Sequence, residues 1–220
     1  MKRLVKTVLI VGLGSIGKRH AGIIRLHFPN VKIIVLRHKQ CDDGDIRGLG
    51  LYKCVTSVDE AIELNPQAAI ISNPASKHIE VAKKLASKGI NLLIEKPISD
   101  SSKDVQELID ICYQNKATLM TGYNLRFLPS LIEFKKQMHS VRIGKIYSVR
   151  SEIGQYLPSW RPGTDYRKDV SAQKSLGGGA LLELSHEIDY LSWIFGRVDW
   201  VKSHVSKQSD LEIDVEDSAY

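Results

Sequence analysis

The stretch from Val8 to His20, VLIVGLGSIGKRH, narrows what this chain can fold into more than any other. The apolar run Val8 to Val11, with Leu13 close behind, reads as a strand buried on both faces, as in a parallel sheet. It leads straight into Gly12, Gly14 and Gly17, the GxGxxG spacing, and the placing of Ile16, Ile23, Ile24 and Leu26 predicts a helix from Ile16 to His27. In such a strand-loop-helix unit the first glycine permits the sharp turn and the second lets a pyrophosphate approach the backbone. The third lets the helix lie close on the strand. The amides of the helix N-terminus favour an anion at the loop. The unit therefore points to a dinucleotide held around Gly12, Gly14, Ser15, Ile16 and Gly17. An ordinary glycine-rich turn of an α/β protein is the plainer alternative.

The second apolar run, Val31 to Leu36, ends at Arg37, about 20 positions beyond the glycines. An acidic residue there would hold the ribose 2′-OH of NAD, whereas an arginine accommodates the 2′-phosphate of NADP. Arg37, with Lys39 nearby, favours NADP over NAD; a solvent-exposed strand end is the alternative. Cys41 to Lys53 reads as loop, and Ser57 with Glu60 as a capping box opening a short helix. Buried strands are expected at Ala68 to Ser72, Ile90 to Ile94 and Ala117 to Thr121, with helices at Ser76 to Lys88 and from a Ser101/Asp104 cap to Asn115. Alternating β and α over this length gives a doubly wound parallel sheet. The carboxyl ends of the third and fourth expected strands carry Asn73 and Pro74, then Glu95, Lys96 and Pro97, to the edge where such sheets bind ligands.

From Tyr123 the pattern changes, so the expected boundary divides residues 1–122 from an α+β domain at 123–220. A helix is expected at Leu128 to His139, an antiparallel strand at Lys145 to Ile153, a long loop at Gly154 to Ser175, a helix at Leu181 to Phe195 and a strand at Trp200 to Val205. At 220 residues, 43% hydrophobic and 25% charged, the chain is expected to be globular, without a membrane-length apolar segment. The net charge of +6 is spread along helix faces without a basic block, which argues against nucleic acid. Cys41, Cys54 and Cys112 show neither CxxC nor ligand spacing, so no disulfide and no metal site is expected, and a reducing, cytoplasmic setting fits.

Taken together, GLGSIGKRH, NPASKH at Asn73 to His78, EKP at Glu95 to Pro97, GYNLRF at Gly122 to Phe127 and GGGALLELSHEIDYLSW at Gly177 to Trp193 resemble the Gfo/Idh/MocA family of glucose-fructose oxidoreductase and inositol dehydrogenase relatives. The resemblance covers nearly the whole chain. It implies a Rossmann domain, a second domain with an open mixed sheet, and nicotinamide-dependent oxidation or reduction of a sugar, sugar acid or nucleotide sugar. YLPSWRPGTDYR looks like members associated with unusual surface-polysaccharide sugars. Relatives usually associate through the second sheet, so a homo-oligomer is expected. Many relatives carry an aspartate four residues before the helix histidine, whereas here Glu183 precedes His186 by three. The chain also stops at Tyr220, inside what looks like a strand, where relatives run on.

Removing hydride from a carbinol carbon requires a base for the hydroxyl proton. By resemblance Lys96 is the polarising group or proton relay; at the end of a buried strand its amine would be partly desolvated, and a surface lysine is the alternative. His186 is the candidate general acid/base, with Glu183 and Asp189 at i−3 and i+3 on one helix face to orient the ring. A packing histidine is the bland alternative. Asn73, Pro74, His78, Glu95, Lys96 and Asn124 complete the candidate cofactor set. Lys96, Arg126, Trp160, Arg161 and His186 are the candidates for substrate, while Tyr190 and Trp193 are expected in the core. A competing function is a catalytically impaired nucleotide-binding remnant or ligand-binding protein; a methyltransferase is disfavoured by Arg37 and EKP.

Overall fold

The structure is a computed structural model that describes residues 5–141 and 143–220. It divides into two compact units, Met1–Gly122 and Tyr123–Tyr220. The first carries six parallel strands, β1 (Thr7–Val11), β2 (Lys32–Leu36), β3 (Lys53–Val55), β4 (Ala68–Ile71), β5 (Asn91–Ile94) and β6 (Leu119–Thr121), in the order β3-β2-β1-β4-β5-β6. Five α-helices connect them: α1 (Ser15–His27), α2 (Asp43–Gly48), α3 (Val58–Glu63), α4 (His78–Ala86) and α5 (Val105–Gln114). This is the doubly wound parallel sheet expected of the sequence.

The continuous apolar runs follow from burial on both faces. On one face Leu9 and Val11 join Ile34, Leu36, Ile71, Leu92 and Ile94 against the apolar side of α4 and Leu108 of α5. On the other, Val8, Ile10, Ile33 and Val35 pack with Ala21 and Ile24 of α1. Successive residues of β1 from Val8 to Val11 thus feed opposite cores, which leaves no polar position among them.

Three local expectations change in this unit. The segment expected as loop, Cys41 to Lys53, contains α2, and the edge strand β3 begins at its end; Leu51, buried, holds the segment on the core. Lys96 therefore follows the fifth strand rather than the fourth. Asp104 precedes α5 in the left-handed region, φ 62°, with no side-chain cap, so the expected Ser101/Asp104 cap is absent. The Ser57/Glu60 capping box is present at α3, because it needs only residues three apart.

The second unit holds α6 (Pro129–Met138), α7 (Ala180–Glu183), α8 (Ser185–Phe195) and an antiparallel pair, β7 (Val205–Ser206) with β8 (Ser218–Ala219). Short 3-10 turns fill much of 157–176. Residues 145–153 keep the alternating pattern but form no strand, because a strand exists only through a partner's ladder and no described strand pairs with them. The expected helix from Leu181 is two helices, broken at Leu184 (φ −95°, ψ 20°), and the strand expected at Trp200 to Val205 is reduced to β7. Among the described residues no helix is long and apolar enough to cross a membrane.

Candidate functional site

At the carboxyl edge of the parallel sheet the three fingerprint glycines separate by cause. Gly12 turns at φ +87°, donates its N–H to the Leu36 carbonyl at 2.8 Å, and lies so near β4 that a Cβ would stand 2.9 Å from the Asn73 nitrogen. A Cβ on Gly17 would overlap the Gly12 carbonyl, which is the close packing of helix on strand. Gly14 has nothing of the chain within 4 Å of where its Cβ would be. Its lack of a side chain is unexplained by the fold and fits a ligand resting on the loop. Asn73 gives a second sign of fit: its Oδ1 is buried without a hydrogen-bond partner, while its Nδ2 donates to the Lys77 carbonyl at 3.4 Å. Ser15 and Ile16 open α1 beside Gly14, and no acidic residue occupies the first turn to oppose an anion. A pyrophosphate-bearing dinucleotide suits this edge.

Arg37 follows β2 as expected, but it is not alone with Lys39. Its Nη1 donates to Asp45 Oδ2 at 3.2 Å, and Asp45 Oδ1 accepts from Lys18 Nζ at 2.6 Å. The Lys18 hydrogen bond, aided by both positive charges, holds the Asp45 carboxyl below its usual range. The carboxylate missing from the end of β2 is supplied by α2, whose N-cap is Asp42 accepting from Asp45 N–H. The cysteine reading also needs correction: Cys41 and Cys54, 13 apart in sequence, are disulfide-bonded with Cα atoms 6.0 Å apart, and Cys112 is free and buried. Spacing alone missed them because β2 and β3 are paired neighbours.

At the ends of β4 and β5 the backbone is tied by side chains. His78, 1% exposed, has Nδ1 3.0 Å from the Pro97 carbonyl and Nε2 2.7 Å from the Asn73 carbonyl. Burial outweighs the pull of those carbonyls and lowers its pKa, and a neutral ring donates to only one of them. His78 thus packs between the NPASKH loop and the EKP loop, with one backbone carbonyl of each beside its ring. Pro74 caps the 3-10 turn Ala75–Lys77.

Glu95 Oε1 lies 2.6 Å from His20 Nε2, and its Oε2 accepts from the Lys96 N–H at 3.3 Å. Burial pushes the Glu95 carboxyl up, but the His20 bond and charge, with the Lys96 amide, bring it below the ordinary value. His20 was not singled out in the sequence; one turn beyond Gly17 on α1, it links the glycine helix to the EKP loop. Lys96 itself stands at the carboxyl end of β5, before a cis peptide to Pro97.

In the second unit Arg126 and Asp189 meet. Arg126 Nε and Nη2 donate to Asp189 Oδ2 and Oδ1 at 2.9 and 2.7 Å, a bidentate pair that raises the arginine pKa, and the carboxylate is largely buried. Asp189 is thus engaged by Arg126 through both of its carboxylate oxygens. The His186 ring meets Tyr123 edge-on, centroids 5.6 Å apart. Glu183 Oε1 accepts from Ser171 Oγ at 2.8 Å. Trp193 receives Lys135 over its ring at 4.1 Å, and Tyr190 donates to Glu187. Asn124 opens the 3-10 turn that carries Arg126, and Arg161 pairs with Asp169 at 3.0 Å.

A cavity of about 400 Å³ in this unit is lined by Trp160, Ser171, Gly179, Glu183, Leu211 and Glu216, among others. It gathers Trp160 and Glu183 from the candidate set but not Arg126, His186 or Asp189. Gly179, at φ +109°, faces the Glu216 carboxylate so closely that any Cβ would overlap it, and Glu216 in turn accepts from Leu181 N–H at 3.0 Å.

A 3-2-1-4-5-6 parallel sheet with a glycine turn after β1 and a helix N-terminus free of acid is a dinucleotide-binding fold. The model of an oxidoreductase family with NAD-binding Rossmann fold matches residues 6–123, and that of the GFO/IDH/MocA C-terminal domain matches residues 131–220. The chain belongs to the Gfo/Idh/MocA family of oxidoreductases. It is 25% identical over 151 residues to the rhizopine catabolism protein MocA of Rhizobium meliloti, covering 68% of this chain and 44% of that one. It is 27% identical over 190 residues to an inositol 2-dehydrogenase of the same species, covering 85% and 54%. The chain thus spans about half the length of the curated relatives it matches. Among solved structures, the WlbA dehydrogenase of Bordetella pertussis, in complex with NADH and UDP-GlcNAcA, superposes with a TM-score of 0.82 at 21% identity, over 100% of this chain and 63% of that one. GenD2 from gentamicin A biosynthesis, in complex with NAD, gives 0.80 at 23% identity, over 97% and 60%. At these identities the likeness is one of fold.

Proposed function

We propose that this chain serves a nicotinamide-dependent oxidoreductase that moves hydride between NADP and a carbinol or carbonyl carbon of a sugar, sugar acid or nucleotide sugar. The observation that carries the reading is the shared sheet edge. The open face of Gly14, the orphan Oδ1 of Asn73 and the EKP loop bearing Lys96 all lie at the carboxyl ends of neighbouring strands. The family membership and the sugar and polyol dehydrogenases among the relatives support the substrate class.

A dinucleotide held at Gly12, Gly14, Gly17 and Asn73 would supply the hydride acceptor or donor. In the oxidising direction the carbinol carbon gives up its hydrogen with the bonding electron pair to the acceptor, the hydroxyl proton passes to a base, and the C=O bond forms. Lys96 holds or relays that proton at Nζ, with its backbone N–H fixed on Glu95 and Glu95 braced by His20. His186 is the general acid/base, with Glu183 on the preceding helix. Asp189 acts by holding Arg126, whose guanidinium edge serves substrate orientation together with Trp160 and Arg161. Residues 1–122 form the cofactor domain and 123–220 the substrate and oligomerisation domain, in a cytoplasmic enzyme without nucleic-acid or membrane partners.

Arg37 supports NADP, since a guanidinium recognises a 2′-phosphate where a carboxylate would accept from a 2′-OH. The test is a substrate panel run with NADPH and NADH on the chain and on Lys96→Ala. Turnover should fall by at least about 10²-fold while dinucleotide affinity stays nearly unchanged. An unchanged rate removes Lys96 from the chemistry, and failure to bind either dinucleotide removes the oxidoreductase reading.

A further inference from the structure

The end of β2 carries a charge arrangement that the cofactor reading alone does not use. Asp45 stands between two cations from different elements, Lys18 on α1 at 2.6 Å and Arg37 after β2 at 3.2 Å. Its side chain is only 11% exposed. Its position is built rather than incidental. Arg37 N–H donates to the Val55 carbonyl of β3, and the Asp42 side chain caps α2. Arg25 Nη2 donates to the Gly50 carbonyl beyond the helix at 2.6 Å, and the Cys41–Cys54 bond ties the chain entering α2 to β3. Leu36, the neighbour of Arg37, takes the Gly12 N–H, so the trio lies beside the glycine turn.

Two cations without Asp45 would make a site for a phosphate dianion. With it, a 2′-phosphate must share both cations with a carboxylate and meets a like charge, whereas a free ribose 2′-OH meets a hydrogen-bond acceptor. We propose that Asp45 is a specificity-determining residue of the dinucleotide site: it holds down affinity for the 2′-phosphorylated cofactor and keeps the unphosphorylated one usable. This rests on the reading that the glycine edge binds a dinucleotide with Arg37 at the adenosine ribose.

The test is a fluorescence titration of NADPH and NADH against the full chain, Asp45→Asn, Asp45→Ala as a second variant, Arg37→Ala, and the Asp45→Asn/Arg37→Ala double variant, each checked for folding by circular dichroism. Both Asp45 variants should bind NADPH roughly three- to tenfold more tightly, with NADH unchanged or weaker. Arg37→Ala should weaken NADPH more than NADH, and most of the Asp45→Asn gain should vanish in the double variant because the freed guanidinium is gone. An unchanged NADPH-to-NADH ratio in folded Asp45 variants, with NADPH still dependent on Arg37, overturns the role of Asp45 and leaves the cofactor reading standing. Equal losses of both dinucleotides in Arg37→Ala overturn the phosphate contact, and the role of Asp45 with it.

Discussion

Gly14 and Gly17 stand three residues apart in one motif, yet the fold needs only the second. A methyl group at Gly17 meets the Gly12 carbonyl, so Gly17→Ala should cost about 1–3 kcal/mol or more through forced displacement of α1. Gly14 lies in open space at an ordinary φ of −72°, and Gly14→Ala should change stability by no more than about 0.5 kcal/mol while sharply weakening dinucleotide binding. Thermal melts paired with NADPH titration separate the two effects. Equal melting points for the two variants would contradict the packing role of Gly17. The motif was legible as a string, but which glycine serves the fold and which leaves room for a ligand depended on what lies opposite each Cα.

At the scale of elements, the features legible in sequence were those built from near neighbours. The α3 capping box is closed, with Glu60 N–H donating to Ser57 Oγ at 3.2 Å and the Glu60 carboxylate accepting from Ser57 N–H. Ser57→Ala should cost about 1 kcal/mol. That is a fall of roughly 4 °C in the melting point of a unit this size, readable by calorimetry. Short or unpaired elements, whose fate rests on distant partners alone, differ from the expectation. The edge strand β3 was missed because three residues carry little pattern, and 145–153 was expected as a strand because alternation records a preference for one-sided burial and not the presence of a ladder. The helix expected from Leu181 breaks at Leu184 although its apolar spacing continues, since spacing does not report the turn that follows the glycine-rich entry.

For the whole molecule, several acidic groups titrate below their ordinary range in the folded chain. Asp45 and Asp165 are lowered first by hydrogen bonds from Lys18 and Arg167. For Glu95 and Asp217 burial works upward, but His20 on one and Ser209 with neighbouring amides on the other prevail. Each folded carboxyl thus holds its proton less tightly than the unfolded one. Its contribution to stability is present above the unfolded pKa, 3.8 for aspartate and 4.5 for glutamate, and is lost as pH falls through the folded value. The buried His78, lowered from 6.5, acts in the same sense at higher pH. Urea midpoints should therefore be level between about pH 7 and about pH 8, begin to fall below about 6.5, and drop most steeply below about 4.5. Glu95→Gln should flatten the acid limb. A midpoint that rises on acidification would refute the assignment.

By itself the sequence determined the parallel sheet, the glycine turn after β1, the arginine after β2 and the lysine after a buried strand, because each is written in residues adjacent along the chain. Only the tertiary structure decided that Asp45 sits between Lys18 and Arg37, that Glu95 is braced by His20, that His78 clasps two loops, that Cys41 meets Cys54, and that Asp189 holds Arg126. Those pairings join residues up to 75 positions apart. In the first unit, packing two layers of helix against one sheet brings them within hydrogen-bond or bonding distance, and in the second the packing of α8 against the turn carrying Arg126 does so; no periodicity along the chain encodes that distance.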